Sequence, residues 1–112
     1  MPQVIVVEEV LYEHHARYVV FDLNVAHMVL LGFACDIFGW ALRNPSASTA
    51  AVMDLYDSVD SSGTVAIPIN IPTAGNLEAW FGPNGIRFNH ALFANVTAGE
   101  VKGSIFYRHV RK

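Results

Sequence analysis

Charged residues are scarce in this chain: aspartate, glutamate, lysine and arginine make up 15% of its 112 residues, against 53% hydrophobic residues. Intrinsic disorder is excluded, because disordered segments combine low hydrophobicity with high charge. Basic residues are few as well, and the formal net charge is -3. Without a basic field to attract phosphates, nucleic acid is not an expected partner.

Cysteine is nearly absent, since Cys35 is the only one. A disulfide within the chain and a two-cysteine metal site are therefore excluded. Histidine offers little more, because adjacent residues such as His14 and His15 point to opposite faces of a regular strand and cannot both bind one ion. We expect no catalytic residue, no cofactor and no metal, and none of the remaining histidines forms a pair at ligand spacing: His27, His90 and His109.

Long hydrophobic runs are also missing. The longest, from Met28 to Leu42, is interrupted by Gly32, Asp36 and Gly39 and is too short to span a bilayer. The N-terminal residues MPQVIVVEEV lack the basic region and longer apolar stretch of a signal peptide. These features predict one soluble domain over residues 1–112, made in a cytoplasm and without a membrane partner.

What the chain does contain is period-two alternation of apolar residues between glycine turns. The stretch from Ala79 to Tyr107 holds a short segment, Ile86 to Phe88, after the turn signal Asn84-Gly85, which tolerates positive φ. Its last part predicts a β-hairpin with one buried face around Gly99. Alternation or β-branched runs indicate further strands at Gln3 to Tyr12, Arg17 to Asp22, Thr49 to Asp57, Val65 to Ile71 and Leu77 to Phe81.

The fold class predicted from these segments is all-β. About eight short strands, with turn signals every 8–12 residues or so, favour an antiparallel β-sandwich that is either immunoglobulin-like or jelly-roll-like. Pro68 lacks an amide hydrogen and marks its segment as an edge strand or a bulge.

The run from Met28 to Arg43 is the ambiguous part of the chain, because its apolar content suits a helix or a strand. A helix would hold Gly32 and Gly39 at about 1 kcal/mol each against alanine, so we predict a strand. An irregularity at Asp36 would separate two groups that lie on opposite faces, namely Phe33, Cys35 and Ile37 on one and Phe38, Trp40 and Leu42 on the other.

The high apolar content favours an oligomer or an assembly subunit. Residues 1–12 are predicted to form a strand that is apolar on both faces, and two interpretations stay open: a strand in the middle of the sheet, or an arm that packs on another subunit. Large exposed rings would also suit a carbohydrate-binding module, since they stack on sugar faces, although core or subunit packing explains the same residues. Our candidate interface residues are Val4, Val6, Val10, Trp40, Trp80 and Phe93.

Three segments together carry a family resemblance: SASTAAVMDLYD at Ser46 to Asp57, GTVAIPINIPTAG at Gly63 to Gly75, and WFGPNGIRFNHALFANVTAGEVKGSIFY at Trp80 to Tyr107. The segments follow a fixed order. The first is an alanine-threonine strand that ends in an acidic turn, the second is an apolar alternating strand, and the third is an aromatic-glycine turn before a closing hairpin. In this succession the chain resembles small virion proteins of tailed bacteriophages, over roughly its last two-thirds.

The resemblance implies a non-enzymatic structural protein of the virion, made in the cytoplasm of the bacterial host. The types it resembles are capsid cement or decoration subunits, head fibres and minor tail components. Our first hypothesis is the cement or decoration subunit, which binds and stabilises the head. A tail or baseplate adaptor is the alternative in the same class, and a carbohydrate-binding module is the alternative outside it. The partners implied are copies of the chain itself and the major capsid protein or other virion subunits.

Overall fold

The structure, a computed structural model, describes the backbone of residues 3–8 and all atoms of residues 17–110. No helix occurs in these two ranges. The strands are β1 (Gln3–Glu8), β2 (Arg17–Asn24), β3 (His27–Leu31), β4 (Cys35–Arg43), β5 (Ala51–Tyr56), β6 (Val65–Ile71), β7 (Asn76–Trp80), β8 (Ile86–Phe88), β9 (Leu92–Ala98) and β10 (Glu100–His109).

The strands form two antiparallel sheets. One is six-stranded, with the order β1-β2-β10-β4-β7 and the short β8 paired to β4 beside β7. The other is four-stranded, with the order β3-β9-β5-β6. The predicted all-β antiparallel sandwich is therefore confirmed.

The strand order decides between the two alternatives that the sequence left open. The chain runs from β2 in the larger sheet to β3 in the smaller sheet and back to β4 in the larger one. It then forms the neighbouring strands β5 and β6 of the smaller sheet. From there it returns to the larger sheet at β7, crosses to the smaller sheet at β9 and ends in the larger sheet at β10. The first and last strands of this path, β2 and β10, are neighbours. This is the path of a jelly roll, in which two Greek keys are wound into a double sheet.

The core lies between the sheets, where alternate residues of each strand meet. β2 contributes Val19, Phe21 and Leu23, and β10 contributes Ile105 and Tyr107 in the same alternation. The facing sheet supplies Ala51, Met53, Leu55, Ile69, Ile71, Leu92, Ala94 and Val96. Because each strand buries one side here, its other side is left on an outer face of the sandwich.

Two polar side chains hold the ends of the sandwich together. At one end Asn44 is fully buried, and its amide nitrogen donates to the backbone carbonyl of Thr49 at 2.8 Å, while the Ser46 amide donates to its oxygen at 3.0 Å. At the other end the Asp57 carboxylate accepts backbone N–H groups from Asn89 at 2.9 Å and His90 at 2.8 Å. These bonds satisfy backbone groups that the strand ladders leave open.

The run from Met28 to Arg43 is extended and not helical, as predicted, but it forms two strands instead of one. β3 and β4 divide this run between the two sheets, with a turn at residues 32–34. The irregularity lies at Phe38 rather than at Asp36, because Phe106 pairs with Gly39 and Tyr107 with Ile37. The unpaired residue, Phe38, forms a β-bulge, which reverses the alternation of inward and outward side chains along β4. Residues before and after the bulge therefore lie on the same core side: Cys35, Ile37, Trp40 and Leu42.

Other segments agree with expectation. β6 covers Val65–Ile71 as predicted, and Pro68 lies on the edge strand of the four-stranded sheet. The hairpin of β9 and β10 around Gly99 is also present. The N-terminal strand was predicted to reach Tyr12, and residues 9–16 lie outside the described part of the chain.

Gly85 and Gly99 provide a test of the turn geometry. Their φ angles are 68° and 71°. A Cβ atom added at Gly85 would lie 2.7 Å from the Ile37 carbonyl oxygen, and one at Gly99 would lie 2.9 Å from that of Ala50. We expect alanine at either position to lower the free energy of unfolding by more than about 1 kcal/mol, measured by chemical denaturation.

The matched control is Gly63→Ala, because an added Cβ there meets nothing within 4 Å. This variant should unfold at nearly the same denaturant concentration as the natural chain. Equal midpoints for all three variants would contradict the turn geometry.

Candidate functional site on the outer face of the six-stranded sheet

A line of aromatic residues crosses the outer face of the six-stranded sheet. In the strand register Tyr18 of β2 lies opposite Phe106 of β10, Phe106 lies opposite Gly39 of β4, and Gly39 lies opposite Trp80 of β7. Phe106 alternates with the core residues Ile105 and Tyr107, so the line lies on the solvent side. We call Tyr18, Phe106 and Trp80 the aromatic row.

The aromatic row is unusually accessible. Trp80 exposes 69% of its surface and Phe106 exposes 37%. The rings of Tyr18 and Phe106 touch edge to face, with centroids 6.3 Å apart. Isolated exposed apolar residues are common, but several large rings in one line on a flat sheet are typical of a contact surface.

Phe38 supports the row from within the bulge. Its ring is stacked on Trp80 with centroids 6.2 Å apart and an interplanar angle of 29°. The guanidinium carbon of Arg108 lies 5.2 Å from the centre of the same ring. Phe38 is itself buried, although it does not belong to the core cluster between the sheets. The bulge therefore places a covered ring next to the exposed ring of Trp80.

An ionic cluster adjoins the row. Asp36 is buried and accepts hydrogen bonds from two arginines. Arg87 donates from Nε to Oδ1 and from Nη2 to Oδ2, the second at 3.4 Å. Arg108 donates from Nη2 to Oδ2 at 3.1 Å. The hydrogen bond from Arg87 lowers the pKa of Asp36, burial raises it by less, and the bond from Arg108 lowers it further, so that the pKa lies below its usual value. Both guanidinium groups remain about half exposed.

Small residues form the next line along the strands. Ser104 of β10 lies opposite Val20 of β2 on one side and Ala41 of β4 on the other. A shallow groove of about 570 Å³ begins at this line, since Val20 and Ala41 belong to its lining. The groove is lined by Val20, Phe21, Asp22, Ala41, Leu42, Arg43, Asn76, Glu78, Lys102 and Gly103.

The structure separates the predicted interface residues. Val4 and Val6 lie opposite Phe21 and Val19 in the register of β1 with β2, so this strand is paired to its own sheet and forms its edge. Residues 3–8 therefore belong to the chain's own sheet, but at its edge and not in its middle, and a contact of this strand with another subunit stays a prediction. Val10 lies outside the described residues.

The three predicted aromatic residues have different surroundings. Trp40 is 5% exposed and packs in the core with its ring centre 5.0 Å from that of Phe81. Phe93 is also 5% exposed and lies between the rings of His27 and Tyr56, at 5.7 Å and 5.9 Å. Only Trp80 presents its ring on the surface, and the structure does not bring these three residues together.

Sequence reasoning missed most of this site. Phe38, Phe106, Tyr18 and the ionic cluster were not among the candidates. One signal was present, because Phe106 alternates with Ile105 and Tyr107 in a strand predicted to bury one face. The partners of Phe106 on β2 and β4 depend on a register that no local pattern indicates.

The described residues offer few reactive groups. No set of three or more His, Cys, Asp or Glu side chains in residues 17–110 is placed to hold a metal ion. Burial, with a smaller contribution from Asp36, raises the pKa of the Cys35 thiol to about 12, so this cysteine is a buried thiol and not a thiolate. His90 lies near Asp57, with Nδ1 3.5 Å from Oδ1.

Comparison with known proteins adds no assignment: no family model, no curated protein and no solved structure matches the chain. Within residues 3–8 and 17–110 there is no helix of the length and apolar character needed to cross a membrane. The site is therefore interpreted from its own geometry.

The ionic cluster generates a prediction about acid stability. The depressed pKa of Asp36 stabilises the fold above pH 3.8, the ordinary value for this carboxyl, and this contribution is lost as the pH falls further. We expect Asp36→Asn to lower the free energy of unfolding at pH 7 by about 2 kcal/mol, since two charge-assisted bonds are weakened. The variant should lose less stability than the natural chain as the pH is lowered from neutrality through this range.

Thermal unfolding followed by circular dichroism from pH 7 to pH 2 measures both effects. Glu78→Gln is a control with the same change in net charge, at an exposed carboxylate of β7. Parallel pH profiles for Asp36→Asn and the natural chain would show that the cluster does not contribute as described.

Proposed function

We propose that this chain is a non-enzymatic structural subunit of a tailed-bacteriophage virion, and in particular a cement or decoration subunit that binds and stabilises the head. The observation that carries the proposal is the exposed aromatic row on the outer face of the six-stranded sheet. Trp80 and Phe106 are too exposed to contribute much to the stability of a single chain. They are available for contact with another protein.

The composition of the face supports protein contact. Tryptophan, tyrosine and arginine are the residues that most often dominate the binding energy of protein interfaces. All three types are present here, in Trp80, Tyr18 and the exposed halves of Arg87 and Arg108. Phe38 beneath Trp80 restricts that side chain before any partner binds, which lowers the entropy lost on association.

The fold is compatible with this function. Jelly rolls occur in viral capsid proteins and in lectins, although a fold by itself does not determine a function. The resemblance of residues 46–107 to small phage virion proteins favours the first group. A tail or baseplate adaptor remains the alternative within the same class, because the same face would serve an attachment at either place.

One observation favours a second function, that of a carbohydrate-binding module. Asn76, Glu78 and Trp80 alternate along the exposed side of β7, so a ring and two polar side chains share one surface beside the groove. Sugar sites combine these features. Saturable binding of an oligosaccharide from a glycan array, lost in Trp80→Ala with the fold retained, would support this function over the first.

The main test is attachment to heads. Purified protein is mixed with empty heads assembled from the major capsid protein encoded in the same genome, and the bound fraction is measured by sedimentation. We expect saturable binding in a fixed ratio to capsid subunits and a higher melting temperature of the heads, because a protein that binds only the assembled state stabilises it.

Trp80→Ala removes a ring of the aromatic row and should weaken this binding. Its control is Val59→Ala, since Val59 is 62% exposed and lies in the loop after β5, away from the aromatic row. It should bind heads as the natural chain does. Failure of the natural chain to bind heads at any concentration would reject the cement function. Binding to purified tails instead would support the adaptor.

A further inference from the structure

Two arginines flank one buried carboxylate beside the aromatic row. In the strand register Arg108 of β10 lies opposite Asp36 of β4, and Asp36 lies opposite Arg87 of β8. We propose that Arg87 and Arg108 together bind a carboxylate side chain of the protein that contacts the aromatic row. The inference rests on the proposed function, because it names the chemical group that the same face recognises on its partner.

The two arginines have hydrogen-bond donors left for such a group. A guanidinium carries five N–H groups and no acceptor. Asp36 accepts two of these N–H groups from Arg87 and one from Arg108. Since the side chains of Arg87 and Arg108 are 51% and 43% exposed, other donors can reach a group outside the chain. Both Nη2 atoms donate to the same oxygen of Asp36, so the guanidinium groups are close enough to share one ligand.

The arginines are oriented before a partner binds. Asp36 is 3% exposed, and its buried charge is the fixed point to which both guanidinium groups are bonded. The guanidinium carbon of Arg108 also lies 5.2 Å from the centre of the Phe38 ring, within the range of a cation–π interaction. Side chains that are already ordered lose less entropy on association.

Charge selects the class of ligand. The whole chain has a formal net charge of -3, whereas Arg87, Arg108 and Asp36 together leave one positive charge. A carboxylate carries one negative charge and matches this excess, and its two oxygens suit the fork of a guanidinium. A phosphate group carries about -1.5 to -2 at neutral pH and would leave negative charge in excess beside Asp36. The cluster therefore favours an aspartate or glutamate side chain over a phosphate.

The position of the cluster adds a requirement on the partner. Arg108 follows Phe106 by two residues on β10, so the two side chains leave the same side of the sheet about 7 Å apart. One partner surface must therefore present an acidic side chain next to an apolar one. In such a contact the rings supply most of the affinity, and the charges fix the orientation and speed the encounter.

The first test uses the isolated chain, labelled with ¹⁵N, and a synthetic hexaglutamate peptide as the probe. We expect saturable shifts of the Nε–H signals of Arg87 and Arg108 in NMR spectra, and no shifts with hexaglutamine. Arg87→Gln should raise the dissociation constant of the peptide at least about fivefold. Signals that do not respond to hexaglutamate would overturn the inference. So would an equal response of Arg43, which lies at the far end of β4.

The second test uses empty heads assembled from the major capsid protein encoded in the same genome. Arg87→Gln and Arg108→Gln should each bind heads at least about tenfold more weakly than the natural chain, and their binding should depend less on salt concentration. Asn70→Asp is the control, because it makes the same change in net charge at an exposed position of β6, in the other sheet. It should keep the natural affinity and salt dependence. Circular dichroism and thermal unfolding establish that the variants are folded.

Blocking the carboxylates of the heads gives the sharper result. A carbodiimide with ethanolamine converts exposed carboxylates to neutral amides. The natural chain should lose affinity for these heads, and Arg87→Gln should lose less, because part of the interaction is already missing in that variant. Equal losses for the two chains would overturn the inference, since the arginine and the blocked groups would then act independently.

The two proposals fail separately. Heads that bind the natural chain and both arginine variants equally would reject the carboxylate contact and retain the cement function. A natural chain that binds hexaglutamate through the two arginines but does not bind heads would retain the carboxylate site and reject the cement function.

Discussion

The β-bulge at Phe38 is the constraint on which the rest of this structure depends. β4 is a central strand, paired to β10 on one side and to β7 and β8 on the other. A regular strand of this sequence would bury either Ile37 or Trp40 and expose the other. With two residues opposite one, the alternation is reversed in mid-strand, and both side chains pack between the sheets. The bulge thus allows the whole of β4 to contribute to the core.

The same irregularity creates the candidate site. Because Phe38 is the extra residue, its ring lies outside the core, where it stacks on Trp80 and contacts the Arg108 guanidinium. Asp36, two residues earlier, lies on the same outer side and binds that arginine and Arg87. The bulge that lets β4 contribute to the core along its whole length therefore also positions the exposed side chains of the candidate site.

Some parts of the site were predictable and others were not. Trp80 was a candidate on residue type alone, as were Trp40 and Phe93, yet the last two are covered by neighbouring elements. An aromatic residue type indicates that the side chain is favourable in a contact. Whether the side chain is buried within the chain depends on which strands pack against it. The sequence also did not show where the run from Met28 to Arg43 divides into two strands. No local residue pattern marks the point at which an apolar segment passes from one sheet to the other.

By itself the sequence determined that this protein is an all-β sandwich, with turns at Gly85 and Gly99 and an edge strand or a bulge at Pro68. These features follow from local rules, namely alternation on half-buried strands, positive φ at glycine and the missing amide hydrogen of proline. Only the tertiary structure decided the jelly-roll order and the alignment of Tyr18, Phe106 and Trp80 across the sheet. Those depend on pairing between strands distant in sequence, and pairing is selected by the packing of the whole core.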